Sequence, residues 1–515
     1  MFAKILQRRF FWILSISLFL SATLFSNLQY AKWSPIDDHE IMVFLKGAQR
    51  ITLHDAWQLW TRDLSGTRRF HPAYSFLRVL ETLLWGDNLT LWYSFRILIF
   101  GCTFALTWYF CTPVLGFVLS FLLTLTFFTQ GFWADIVGRL GPAEIYAVLG
   151  ATITGVGFFP LYVSLLHERT IEKNWWRYVA LGTCITVFSK ENMIVFVVPI
   201  VFLFIVTIGK RRLTQTALIA FFLIGLTTIG TVVGITDIAK TYGSDVYGNS
   251  LGAQSRVELV KTTVMLKTSL VLIAFVVTSF IFFLFSDHSR KKLWISVFFV
   301  LLFAESLFIS QFVFYVGKWP TQTRYDFPGI LFSFFMLIVA CRVFLLGRKI
   351  FSQRKTYLQL SYALICFFAF FYFVKTQQIR SLQTDVSTYT SMTRRYSEGV
   401  ERILLASTYP PDKNVIIEST STNDLETIHA IGVYIRQSNL HPKLFLRVHQ
   451  TPADVFFDPF HTSLLLSLQK SSTEGTDIFM PLEKLNEKLP CISFFLNEKK
   501  DTECVEYYIV DTQFR

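Results

Sequence analysis

Two adjacent carboxylates, Asp37 and Asp38, followed by His39-Glu40, open a polar segment shortly after the first apolar stretch, residues 10–28. A hydroxyl ionises far above neutral pH, so its attack on a sugar carbon requires a base held against it. One carboxylate can serve, and a second beside it can orient the acceptor or raise the first one's pKa. The competing reading is a solvated loop start that caps a helical run from His39 to Lys46.

Several cationic groups suit the other half of such a reaction, the departure of a phosphate, whose developing charge must be stabilised. Arg68, Arg69 and His71 precede Pro72 and a run from Ala73 to Trp85 closed by Gly86, with Pro first and Gly last as in a helix. The arginines suit either a phosphate or general anchoring at the interface, and Leu77, Leu80, Leu84 and Trp85 make a stripe fit to lie along a membrane surface. Within residues 138–144, Arg139 and Glu144 either pair with each other or face a site. Lys190-Glu191 stands between two apolar stretches with almost no loop, a placement usual for charges that face a cavity. Lys190 there meets a phosphate or snorkels to the interface. Arg324-Tyr325 precedes a late apolar stretch, where Arg offers bidentate contact to a phosphate and Tyr stacks or donates beside it. Glu305, inside an apolar stretch, is expected to pair within the bundle.

The elements that must position these residues are membrane helices. Of the 515 residues 52% are hydrophobic and only 16% charged, against roughly 25% charged in an ordinary soluble chain. The net charge of +12 comes from Lys and Arg gathered in short loops, which marks topology. A nucleic-acid surface would concentrate them on one soluble face, so no nucleic-acid partner is expected. Apolar stretches that read as bilayer spans cover residues 10–28, 91–111, 114–131, 143–166, 177–189, 193–209, 213–235, 266–286, 293–311, 328–346 and 357–374, the fifth of them short and extending toward Lys190. With Lys4, Arg8 and Arg9 inside, the return loops carry Arg169, Lys173 and Arg177, then Lys210 to Arg212, Arg290 to Lys292, and Arg348 to Lys355. That places the N-terminus in the cytoplasm and the motifs above on the outer face. The first stretch lacks a small-x-small cleavage pattern and reads as an uncleaved anchor. Asn88-Leu89-Thr90 matches a glycosylation sequon.

The expected fold is an α-helical polytopic membrane protein with about eleven transmembrane helices and surface helices in the first outer loop, 29–90. The transmembrane domain spans residues 1–375, and residues 376–515 form a small exoplasmic α/β domain. Its expected elements are strands from Asn414 to Glu418 and Lys443 to Val448, and a helix from Leu425 to Gln437. A hairpin is expected to join Cys491–Leu496 to Cys504–Val510. Across it Cys491 and Cys504 form a disulfide, or stay as two thiols. The other five cysteines lie in apolar stretches, without CxxC spacing.

The pattern over residues 1 to 375 resembles the GT-C superfamily of membrane glycosyltransferases, which includes protein O-mannosyltransferases, lipid A aminoarabinose transferases and arabinofuranosyltransferases. The resemblance rests on Asp37-Asp38 after the first span, on Arg69 to Pro72 leading through Leu84 to Asn88, and on Arg324-Tyr325 before a late span. It implies transfer of a sugar from a polyprenyl-phosphate donor to a lipid, glycan or protein acceptor outside the bilayer, in a bacterial inner membrane. By position it makes Asp37 the base, with Asp38 beside it, and Arg324 a donor-phosphate contact. Arg69, His71, Arg139, Glu144, Lys190, Glu191 and Tyr325 complete the expected donor site. The adjacent acids depart from the Asp-x-Asp of metal-using relatives, so no metal or other cofactor is carried over. The rival readings are a lipid-linked polysaccharide polymerase or ligase, disfavoured by the short loop 312–327, and a transporter or scaffold.

Overall fold

The computed structural model describes residues 2–34, 38, 41, 45, 51–66, 70–166, 171–210, 212–242, 253–265, 267–284, 291, 298, 301–302, 305, 308–309, 329–331, 334, 338, 377–407, 415–419, 444–448, 478–481, 495–496 and 505–508. Asp37, Arg69, Arg324, Tyr325, Cys491 and Cys504 lie outside them, as do the span 357–374 and the helix expected over residues 425–437.

Helix α1 (Phe2–Leu24) runs into a 3-10 turn at Ser26–Tyr30. Two short helices follow, α2 (Leu53–Gly66) and α3 (Pro72–Trp85), the second with Pro first and Gly86 behind it at φ 56° as the sequence pattern requires. The long α4 (Leu89–Leu115) is capped by Asn88, the sequon residue, whose side chain accepts from the Leu91 amide at 3.2 Å. Then come α5 (Phe117–Phe128), α6 (Phe132–Val137), α7 (Glu144–Leu166) and α8 (Lys173–Ser189). A 3-10 turn, Glu191–Phe196, leads into α9 (Val197–Gly209) and α10 (Gln215–Tyr242). Among the described residues four helices are long and apolar enough to cross a membrane: Leu89–Pro113, Glu144–Leu165, Glu191–Gly209 and Gln215–Ile238.

Glycines let these helices approach. A Cβ at Gly182 of α8 would strike the backbone of Thr154 and Gly150 on α7, and one at Gly101 of α4 would strike Leu18 on α1. Hydroxyls in this apolar interior satisfy themselves within their own helices, as in Ser21 Oγ to Ser17 O and Thr103 Oγ1 to Ile99 O, both 2.7 Å. Aromatic packing fills the centre: Phe100 and Trp133 meet edge to face at 5.1 Å, and Trp133 stacks on Phe128 at 4.8 Å.

Two expectations change. The outer loop expected over residues 236–265 is largely helical: α10 continues to Tyr242 and α11 (Ala253–Val264) precedes α12 (Lys267–Leu284). The boundary at residue 375 is not a break in packing either. Helix α13 (Gln378–Ser407) buries Leu382 and Val386 in the same core as α1, α4 and α6.

Beyond α13 lies a five-stranded mixed sheet in the order β4-β3-β1-β2-β5. Its strands are β1 (Val415–Ser419), β2 (Leu444–Val448), β3 (Ile478–Pro481), β4 (Phe495–Leu496) and β5 (Val505–Tyr508). The first two agree with the sequence reading, and β1 runs parallel to both β2 and β3. The expected hairpin is replaced: β4 pairs antiparallel with β3 and β5 antiparallel with β2, on opposite edges of the sheet. Local alternation suggested that these two strands pair with each other, whereas each pairs with a different strand of the sheet.

Candidate functional site

Asp38 is fully buried, and its carboxylate is held by backbone amides from two segments. Oδ2 accepts from Ser34 N at 2.8 Å, and Oδ1 accepts from Leu140 N at 3.0 Å and Gly141 N at 3.1 Å. A carboxylate bound in this way is a fixed anchor. It ties the chain leaving α1 to the turn between α6 and α7. The anchoring holds the chain at Asp38, the residue that follows Asp37 in the sequence.

The turn 140–142 is gripped from its other side through its carbonyls. The Gly141 carbonyl accepts from Arg78 Nη2 at 2.8 Å and from the Tyr74 hydroxyl, both on α3. Arg96 of α4 donates to the carbonyls of Pro142, at 3.3 Å, and Leu140. Each guanidinium also lies over an aromatic face, Arg78 over Tyr74 at 4.0 Å and Arg96 over Tyr146 at 4.8 Å. The Tyr146 hydroxyl donates to Glu81 of α3. Burial pushes the Glu81 carboxyl above its usual 4.5, against the opposing pull of Arg96, the Tyr146 hydrogen bond and Arg78. Helices α3, α4 and α7 are thus fastened to one backbone turn.

The charged residues expected to line a donor site are paired differently from the sequence reading. Arg139 and Glu144 do not meet. Arg139 pairs with Asp135 one helical turn earlier, Nε to Oδ1 at 3.1 Å. Glu144 forms an ion pair with Lys190, both side chains almost wholly buried. Lys190 ends α8 and Glu144 begins α7, so the glycine-mediated contact of these helices is what brings the charges together. Glu191 follows, 4% exposed, at the start of the 3-10 turn. His71 precedes α3 with Nδ1 at 3.2 Å from Ser75 Oγ and its ring edge-on to Tyr74. Beside it Phe70 fills the space that a Cβ at Gly234 would need, and lies 6.1 Å from Phe188. That contact brings Phe70 to the Lys190 end of α8. Glu305 accepts from Ser269 of α12, the pairing within the bundle that its apolar setting required.

Asp38, Glu144 and Lys190 therefore converge on one end of the bundle, with His71 and Arg139 in the same network of contacts. Tyr74, Arg78, Glu81, Arg96 and Tyr146 were not anticipated. Arg96 carried a readable signal, being an arginine inside an apolar stretch. Arg78 and Glu81 lie three apart on α3, beside the apolar stripe, and their spacing alone does not separate a solvated pair from a buried one. Among the described residues no three His, Cys, Asp or Glu side chains gather as metal ligands would.

No family model matches the chain, and no curated protein does. Among solved structures, the crystal structure of ArnT from Cupriavidus metallidurans bound to undecaprenyl phosphate is similar, with 11% identity over 97% of this chain and 98% of that chain and a TM-score of 0.44. At that identity and score the likeness carries no argument about chemistry.

Proposed function

We propose that this chain is a membrane glycosyltransferase of the GT-C kind, moving a sugar from a polyprenyl-phosphate donor to an acceptor hydroxyl at the outer face of a bacterial inner membrane. The observation that carries the reading is the anchoring of Asp38 by the amides of Ser34, Leu140 and Gly141. An acid so held keeps its own stretch of backbone rigid at the polar end of the bundle. Such rigid support is what a general base requires.

Asp37 takes the proton of the acceptor hydroxyl as its oxygen attacks the anomeric carbon. The bond from that carbon to the phosphate oxygen breaks, and the lipid phosphate leaves with the electron pair. Arg324, Lys190 and Arg69 hold that phosphate, while His71, Glu191 and Tyr325 face the sugar. Glu144 aims Lys190, and Asp38 and Arg139 hold the loop. The bilayer supplies the donor laterally, and the acceptor is a lipid, glycan or protein hydroxyl.

The test is a membrane assay with polyprenyl-phosphate sugars. Asp37→Asn should lower turnover by about 10²–10⁴, the usual range for a lost general base, with unchanged thermal stability. Asp38→Asn should instead cost about 1–3 kcal/mol of stability, because an amide nitrogen cannot accept from the amides it would face. Full turnover by Asp37→Asn discards the assignment of the base.

A further inference from the structure

Helix α13 touches both strands of chain that Asp38 ties together. The Tyr389 ring lies 5.1 Å from the Arg139 guanidinium, which is itself paired with Asp135, and a Cβ at Gly138 would lie 3.4 Å from Tyr389 Cβ. One helical turn later, on the same face, Thr393 Oγ1 accepts from Lys32 N at 3.0 Å. Lys32 is itself held from the other side, its carbonyl accepting from the Tyr93 hydroxyl at 3.0 Å. One turn before Tyr389, Asp385 sits against Gly131, at the start of α6, where a Cβ would lie 3.2 Å from its carboxylate. The contacts of 385, 389 and 393 thus run from α6 across to the chain that leaves α1.

We propose that Tyr389 is a positioning residue for the reaction: through Asp135 and Arg139 it sets the turn whose Leu140 and Gly141 amides receive Asp38. Arg139 is the residue immediately before Leu140, so the position of its guanidinium fixes the orientation of the next peptide units. Thr393 holds the opposite strand, and α13 acts as a strap across the anchor. The inference rests on the proposed role of the Asp37–Asp38 loop, but its first readout does not.

Hydrogen exchange on the full-length protein in detergent reads the Leu140 and Gly141 amides without any substrate. Tyr389→Ala removes the ring that covers the Arg139 guanidinium and should raise exchange of the peptide bearing those amides about tenfold, the size of one lost desolvated cation–π contact. Tyr389→Phe keeps the ring and should stay near the parent, and Asp38→Asn should reproduce the effect of Tyr389→Ala, while peptides of α9 and α10 stay as in the parent. No change at residues 140–141, or an equal rise everywhere, would mark Tyr389 as ordinary packing and overturn the proposal. With a polyprenyl-phosphate sugar, Tyr389→Ala should lower kcat and leave KM for the donor unchanged. A raised KM at constant kcat would overturn it too. A parent protein that turns over no lipid-linked sugar defeats the transferase reading and leaves the exchange result to decide the strap.

Discussion

Lys190 and Glu144 illustrate how a buried charge is tolerated at the end of a membrane helix. An uncompensated ion there is expensive, and removing one partner typically costs about 3–5 kcal/mol, whereas replacing both with apolar groups is often neutral. Lys190→Met alone should therefore destabilise strongly, and Lys190→Met with Glu144→Leu should recover most of the loss in thermal unfolding. If Lys190 also holds the leaving phosphate, the double variant regains stability but not turnover, which separates the two roles. Glu81 makes a prediction about pH. Its folded-state pKa is raised above 4.5 by burial, so the unfolded chain gives up that proton first as pH rises. The contribution of the protonated group is complete below 4.5 and is lost as pH climbs toward the folded value. Glu81→Gln, which still accepts from Tyr146, should flatten this part of the stability profile. An unchanged slope would show that other groups govern it.

At the scale of elements, the contact of α7 with α8 decides where Lys190 lies. Because a Cβ at Gly182 meets backbone atoms of Gly150 and Thr154, the helices must separate to admit it. Gly182→Ala should cost about 1–3 kcal/mol, the usual range for overpacking. Gly225 of α10 has nothing within 4 Å of its Cβ position, so Gly225→Ala should be neutral or stabilise by up to about 1 kcal/mol. Equal thermal shifts for the two would refute the close-approach argument. Much of this level was readable from the order of residues. The Pro72 to Gly86 helix, the span boundary at Lys190 and strands β1 and β2 follow from local patterns. Helix α13 carried a signal too, since Leu382, Val386, Tyr389, Thr393, Tyr396 and Val400 recur at alternating steps of four and three. Its many Ser and Thr residues masked that period.

For the whole molecule, the distribution of Lys and Arg predicts that the Asp37 loop and α13 share the outer face, with Arg290 to Lys292 on the inner one. A single cysteine introduced near residue 37 or at exposed Ser387 should react with an impermeant maleimide from outside in intact cells, and one at residue 290 only after permeabilisation. The reverse pattern would put the anchor in the cytosol and end the proposed function. The outward faces of α9 and α10 carry large exposed side chains, including Phe202, Ile205, Phe222 and Ile229, as a surface bounded by lipid tails would.

Composition and periodicity alone determined that this is a chain of long apolar helices and located the four spans seen among the described residues, because hydropathy acts locally along the polymer. Which charge meets which was decided only by tertiary structure. Glu144 chose Lys190 over Arg139 because glycines draw α7 onto α8, and Asp38 became an anchor because the turn at 140–142 offered it free amides. Such pairings depend on the approach of segments distant in sequence, and a buried charge takes whichever partner that approach supplies.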